Sequence, residues 1–329
     1  MSFIKDIGSK TIEKVDRFFQ PTQQPKYITP YASKTRFTMI GPVGSGKTTV
    51  AANLLRTAYT RSQRDPNFYC DVQEFGSEIR EAVARLCDGH FPPKTEPTGE
   101  YAYESGLTIT KKGLFGPKKL HIPLIDVAGE DQQLMLQKFG SPLEVRRPVN
   151  YLTAKTLLDY MKSSKGFILT LCAPRIRLPD QKMDEEPKGI SRYPDVNMAR
   201  MLDDVFQFKK GKIESIIVVI TKWDMVAPHL VDKGIDLYNT RDDMVRFMNN
   251  YFPGTKMALK QMEDRGQVQY FPSYVSLKKN ERGEVQYWGP NDPMVEVITE
   301  DHEGYAYVNY RYAESSYYAM FDYLEGYAR

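Results

Sequence analysis

Apolar runs of strand length alternate with helical-period patterns along most of the chain. Phe3, Ile4, Ile7, Ile12, Val15, Phe18 and Phe19 recur at helical spacing with basic and acidic residues interleaved, so residues 3–19 predict an amphipathic helix. Residues 35–40 form a strand pattern that runs into a glycine-rich turn, 41–49, and a helix from Thr48 to about Thr60. Phe75, Ile79, Val83 and Leu86 mark a second helix over 73–86. Residues 101–110 and 119–127 predict two strands, and the glycines and proline of 111–118 between them predict a β-hairpin. Helical patterns at 132–139 and 152–163 precede the solid apolar run 166–171, which has the length of a buried strand. A polar, proline-containing loop follows at 175–194. Beyond it the pattern predicts a helix over 196–206, a strand over 215–220, a helix over 241–251, a strand near 267–276 and a tyrosine-rich helix over 314–327.

Strands alternating with helices predict an α/β fold in three layers, a mostly parallel sheet with helices on both faces and one antiparallel edge strand from the hairpin. No long linker, repeat or low-complexity tract divides the 329 residues, so one enlarged domain is preferred to two equal ones. The expected boundaries are 1–34 for the amphipathic helix and its linker, and 35–276 for the main domain, with insertions near 67–91 and 175–194. Residues 277–329 are expected to be a C-terminal extension whose tyrosine-rich helix packs on that domain. Composition narrows the class. With 41% hydrophobic and 26% charged residues, and no run near the roughly 20 apolar residues of a membrane span, a soluble globular chain is expected. Cys70, Cys87 and Cys172 show no CxxC spacing, which points to reduced thiols in a cytoplasmic protein rather than to a disulfide framework or a zinc site. The 45 basic and 42 acidic side chains leave a formal net charge of +3, so no nucleic-acid partner is expected.

The first chemistry-bearing motif is Gly41-Pro-Val43-Gly44-Ser45-Gly46-Lys47-Thr48, which fits G-x-x-x-x-G-K-[ST] in full. Its glycines let backbone N–H groups close around phosphates with no Cβ in the way, and the helix N-terminus adds its partial positive charge. Lys47 is placed to reach the β- and γ-phosphates and the Thr48 hydroxyl to ligate Mg²⁺, with Thr49 beside it in the first helical turn. The motif follows a predicted strand and opens a predicted helix, the context it requires.

Two further elements extend the site, and the second decides the base. Asp126 ends the apolar strand Ile122-Pro-Leu-Ile125, where its carboxylate can hold Mg²⁺ directly or through water. Gly129, three residues on, would let a backbone N–H approach the γ-phosphate. Thr221-Lys222-Trp223-Asp224 follows the strand 215–220, at the carboxyl edge where open α/β sheets bind ligands. The Asp224 carboxylate can accept from guanine N1–H and the 2-amino group. Adenine offers neither donor, so it would leave a buried carboxylate unpaired, at roughly several kcal/mol. The Lys222 stem can cover one face of the ring.

In chain order GPVGSGKT, a threonine-containing loop, DVAG and TKWD resemble the TRAFAC class of P-loop GTPases, which includes Ras-like small GTPases and translation factors. The resemblance covers most of 35–276. It implies a P-loop NTPase fold that binds GTP or GDP with Mg²⁺, hydrolyses GTP to GDP and phosphate, and acts as a molecular switch through a protein effector or regulator. Phe91-Pro-Pro-Lys-Thr95, preceded by Leu86-Cys-Asp-Gly89, is similar to the double-GTPase families of bacteria and archaea. By that likeness Thr95 is the preferred switch I threonine, completing the Mg²⁺ shell, with Thr98 as the alternative. Ser276 falls near the place of the guanine-contacting serine that follows the last core strand.

The chain departs from that class at three positions. Thr221 stands where the class usually has asparagine, which implies a weaker tether between this turn and the phosphate loop. Glu130 stands where Ras-like proteins carry a water-orienting glutamine, which shifts that role toward Gln132 or Gln133. Val43 occupies a loop position that is glycine in Ras-like proteins, crowding the route of an arginine finger; Arg175 and Arg177 are conceivable fingers in cis. Glu130 and Val43 together imply slow turnover without a partner, and keep open a slowly hydrolysing GTP-binding assembly protein. A P-loop ATPase acting on nucleic acid fits the loop and Asp126 alone, but TKWD and the balanced charge count against it. The polar face of residues 3–19 is mixed rather than basic, so membrane contact is disfavoured relative to docking on this domain or on a partner. Oligomeric state stays open. The 22 tyrosines thicken toward the end of the chain.

Overall fold

Two apolar runs with no charge, Gly166–Cys172 and Ser215–Thr221, form the centre of the molecule because both of their faces are covered. The computed structural model describes residues 37–42, 44–65, 67–73, 78–93, 103–113, 116–126, 161, 163–173, 194–209, 212–224, 241–290, 292–302 and 305–327. The expected helices over 3–19 and 132–139, the loop 175–194 except its last residue, and most of 152–163 lie outside these residues.

Strand β1 (Phe37–Ile40) leads to helix α1 (Lys47–Arg64), strand β2 (Phe68–Gln73) and helix α2 (Glu78–Cys87). Strands β3 (Tyr103–Gly113) and β4 (Gly116–Asp126) follow, then β5 (Gly166–Cys172), α3 (Pro194–Phe208), β6 (Ser215–Thr221), α4 (Arg241–Tyr251), α5 (Pro253–Glu263) and β7 (Val268–Pro272). The chain continues through short strands β8 (Tyr287–Gly289) and β9 (Asp292–Pro293), the hairpin β10 (Val297–His302) and β11 (Tyr305–Tyr310), and helix α6 (Glu314–Glu325).

The main sheet is parallel throughout, in the order β1-β5-β6-β7. Its register aligns Phe37 with Gly166, Gly166 with Ser215, and Ile216 with Val268. Side chains alternate between its two faces. Phe167, Leu169 and Leu171 of β5, with Ile216, Val218 and Ile220 of β6, pack against α3, α4 and α5 through Met198, Phe247 and Leu259. Ile168, Ile217 and Val219 point the other way, onto Val50 and Leu54 of α1 and onto Tyr317 and Phe321 of α6. Burying each such large apolar side chain contributes roughly 1.5–3 kcal/mol, so these two layers supply the main stabilising term. The result is a three-layer α/β architecture, a parallel sheet with helices on both faces.

The antiparallel part is larger than the single edge strand expected. β3 and β4 pair from Tyr103↔Asp126 to Gly113↔Gly116, and β2 adds to β3 to make a three-stranded sheet. The helix expected over 73–86 accordingly starts later, at Glu78, while Gln73 ends β2. Residues 68–73 alternate and include aromatic and β-branched types, but they gain strand structure only from an edge supplied 33 or more residues downstream (Gln73↔Gly106). Helix α5 also lacks a local start signal beyond Pro253. Its first-turn N–H groups at Gly254 and Thr255 are capped by the Asp195 carboxylate of α3, at 2.9 and 2.7 Å. No helix among the described residues is long and apolar enough to cross a membrane.

Candidate functional site

At the carboxyl end of β1 the backbone turns through Gly44 (φ 69°) and Gly46 (φ 82°) before α1 begins at Lys47. These left-handed values are open to glycine and strained for other residues. Gly44 is exposed and a Cβ there would meet nothing within 4 Å, so the loop presents bare backbone to open space. Gly41 is the reverse case. A Cβ on it would collide with the Thr170 hydroxyl and sit 2.8 Å from the Thr170 carbonyl oxygen.

Two strands hold this loop. Thr170 of β5 meets Ser45, Oγ1 to Oγ at 2.7 Å. Thr221, the last residue of β6, donates its hydroxyl to the Ser45 carbonyl at 2.8 Å, with the Leu171 carbonyl at 3.2 Å. The tether expected to be weak at Thr221 is therefore made by its hydroxyl. Lys47 Nζ donates to the carbonyls of Gly41 (2.9 Å) and Pro42 (3.1 Å), resting over the loop's own backbone. Thr48 and Thr49 lie half-buried in the first turn of α1, and Val43 is outside the described residues.

Lys222 takes a left-handed conformation, φ 57°, and is exposed. Trp223 is buried edge-to-face on Phe247, with ring centroids 4.8 Å apart. Its backbone N–H donates to the Ser273 carbonyl (3.1 Å), and the Ser273 N–H donates to the Ile220 carbonyl (2.7 Å). Asp224 is half-buried and close enough to Tyr274 that its charge, after burial itself, pushes the Tyr274 phenol up, with Arg311 opposing. Ser273 and Tyr274 thus flank the turn. The backbone of Ser276 pairs with the C-terminal extension: its N–H donates to the Arg311 carbonyl and its carbonyl accepts from the Glu296 N–H, both at 2.8 Å.

Asp126 is the last residue of β4, which packs beside β1. Thr95, Thr98, Gly129, Glu130, Gln132, Gln133, Arg175 and Arg177 lie outside the described residues.

Sequence reasoning passed over Thr170 and Ser273. Thr170 is the single hydroxyl in the run Gly-Phe-Ile-Leu-Thr-Leu-Cys, and a hydroxyl at 0% exposure must find a partner, so the signal was there. Ser273 carried no such mark.

No protein-family model matches the chain, and no curated protein does. Among solved structures it is similar to Sup35 complexed with GDP, at 13% identity and a TM-score of 0.29, covering 83% of this chain and 46% of that one. It is also similar to the signal recognition particle receptor SRb-GTP/SRX complex from Chaetomium thermophilum, at 14% identity and a TM-score of 0.32, covering 77% of this chain and 96% of that one. The chain thus spans less than half the length of the Sup35 chain. Overlays this loose do not bear on what this chain binds.

Proposed function

We propose that this chain binds GTP with Mg²⁺ and hydrolyses it to GDP and phosphate as a nucleotide-dependent switch. The observation that carries the reading is the hydrogen bond from Thr221 to Ser45. It ties the turn bearing Asp224 to the loop bearing Lys47, so one rigid frame presents a carboxylate for a base and backbone N–H groups for phosphates. In this reading the amides of 44–48 and the α1 N-terminus hold the β-phosphate, and Lys47 leaves its loop carbonyls for the β- and γ-phosphates. Thr48 and Asp126 hold the metal, joined by Thr95 or Thr98. Asp224 reads guanine, Lys222 covers it, and Ser273 and Tyr274 close the base side together with Ser276. Mg²⁺ supplies charge neutralisation at the γ-phosphate when bound. Water attacks the γ-phosphorus with Glu130, Gln132 or Gln133 orienting it, and GDP leaves.

The main domain is 35–276 in this proposal, with 277–329 as an extension whose aromatic surface serves an effector or regulator. Glu130 favours a second reading, a slowly hydrolysing GTP-binding assembly protein, because by the resemblance its charge would lie near the γ-phosphate. Parallel titrations of the full chain with fluorescent GTP, ATP and XTP test the assignment. GTP is expected to bind tightest, and Asp224→Asn to turn the preference toward XTP, since the amide can donate to the extra carbonyl. Tighter binding of ATP than of GTP would overturn it.

A further inference from the structure

Four buried polar side chains from four separate segments meet behind the nucleotide site. They are Asn53 of α1, Ser273 just after β7, Tyr310 of β11 and Tyr317 of α6, none more than 2% exposed. Tyr310 Oη donates to Asn53 Oδ1 at 2.9 Å, and Asn53 Nδ2 donates to Tyr317 Oη at 3.2 Å. Having accepted from Asn53, Tyr317 keeps its own proton for Ser273 Oγ, 2.7 Å away. Ser273 is bound in turn to the base-side turn through its backbone, by the bonds to Ile220 and Trp223. Ser316, one residue before Tyr317, donates to the Pro272 carbonyl at 2.7 Å and fixes the start of α6 beside the same turn. A continuous chain of hydrogen bonds therefore runs from the helix that begins with Lys47 and Thr48 to the turn that carries Asp224. It passes through a residue of the C-terminal extension. In a dry interior such a chain has one arrangement, because sliding it would strand a donor or acceptor without water.

We propose that Tyr317 is a positioning residue for guanine selectivity, its hydroxyl setting the base-reading turn relative to the phosphate-loop helix. This rests on the GTP-binding reading above. Asp224 can distinguish guanine only if its carboxylate sits at a fixed distance from a nucleotide already anchored by its phosphates. Nothing in the phosphate contacts themselves depends on Tyr317. Loss of its hydroxyl is therefore expected to weaken base recognition and to spare phosphate binding.

The test is titration of the full chain and its variants with GTP and ATP in the presence of Mg²⁺, alongside urea unfolding of each. Tyr317→Phe keeps the ring and removes the bridge. GTP affinity is expected to fall roughly tenfold with ATP affinity unchanged, so that the preference for GTP narrows by the same factor. Ser273→Ala, which breaks the same link from the other side, is expected to do the same, and the double variant to lose little more than either single one. It also carries the test should Tyr317→Phe fail to fold. Tyr312→Phe is the comparison: its hydroxyl lies 2.9 Å from Thr57 Oγ1 on the same helix but makes no link to Ser273. It is expected to lower stability and leave the GTP-to-ATP ratio where it was. A wild-type chain without guanine preference overturns the underlying reading, and this inference with it. A wild-type chain that prefers GTP, with Tyr317→Phe and Ser273→Ala equally selective, overturns this inference alone.

Discussion

Lys222 is the sole non-glycine residue among those described with a left-handed backbone, and it sits between Thr221, which holds the phosphate loop, and Trp223, which anchors to Ser273. Holding a side chain there costs about 1–2 kcal/mol, a strain that glycine would relieve. Glycine also loses more freedom on folding, about 0.5–1 kcal/mol, so the two effects nearly offset. Lys222→Gly is therefore expected to leave urea stability within about 1 kcal/mol of wild type while GTP affinity falls severalfold, because the stem proposed to cover the base is gone. A large loss of stability would show that the lysine braces the turn instead. The contacts of Thr221 teach a similar lesson at this scale. Its hydroxyl has the reach to bond Ser45, so a departure from asparagine that the sequence marks as a weakness is met by local geometry.

Among the elements, α1 has the most partners in the C-terminal extension. Arg56 Nε donates to Asn309 Oδ1 at 3.1 Å, and Arg61 pairs with both Asp322 (2.8 Å) and Glu325 (2.6 Å) of α6 while lying over the Phe68 ring. The two carboxylates are not equivalent. The side chain of Asp322 is 68% exposed and that of Glu325 only 6%, so water screens the first pair and not the second. Asp322→Ala is expected to cost less than about 1 kcal/mol. Arg61→Ala strands a buried carboxylate and is expected to cost about 3–5 kcal/mol by urea denaturation, and equal losses from the two would contradict this ranking. The elements themselves were legible to different degrees. The strands at 166–171 and 215–220 declared themselves by solid apolar runs, because a strand covered on both faces needs no polar position. The extension did not: β8 pairs with β9 and β10 with β11 in separate two-stranded sheets, so no solid apolar run marks them.

For the whole molecule the tyrosine surplus has a structural use. Tyr310, Tyr312 and Tyr317 are buried around α1, and burial pushes all three phenols up, Tyr317 to about 12. The folded state thus keeps these protons at a pH where an unfolded chain has lost them, so the unfolded state binds fewer protons and stability falls as pH rises. The contribution of Tyr317 is complete below its ordinary value of 10.0 and is lost as pH climbs toward about 12, an effect on the order of 2–3 kcal/mol. Urea stability is expected to be level from neutral pH to about pH 9 and to drop beyond pH 10, with the last part of the tyrosinate absorbance appearing together with unfolding. All 22 tyrosines ionising near pH 10 in the folded protein, with stability unchanged, would contradict the burial of these phenols.

What the sequence determined by itself is local. A tight turn into a helix needs glycine at its left-handed positions, and a buried strand needs an unbroken apolar run, so the turn at Gly44 and Gly46, the strands that end at Asp126 and Thr221 and the parallel core could be read from order alone. Only tertiary structure decided that β2 joins β3, that Asp195 caps α5, and that the base-side turn meets Ser273 and Tyr274 while Ser276 turns to Arg311 and Glu296. Each depends on a hydrogen-bond partner tens of residues away. A donor carries no mark along the chain of which acceptor it will reach, and the link from Asn53 through Tyr317 to Ser273 exists only once α6 has docked.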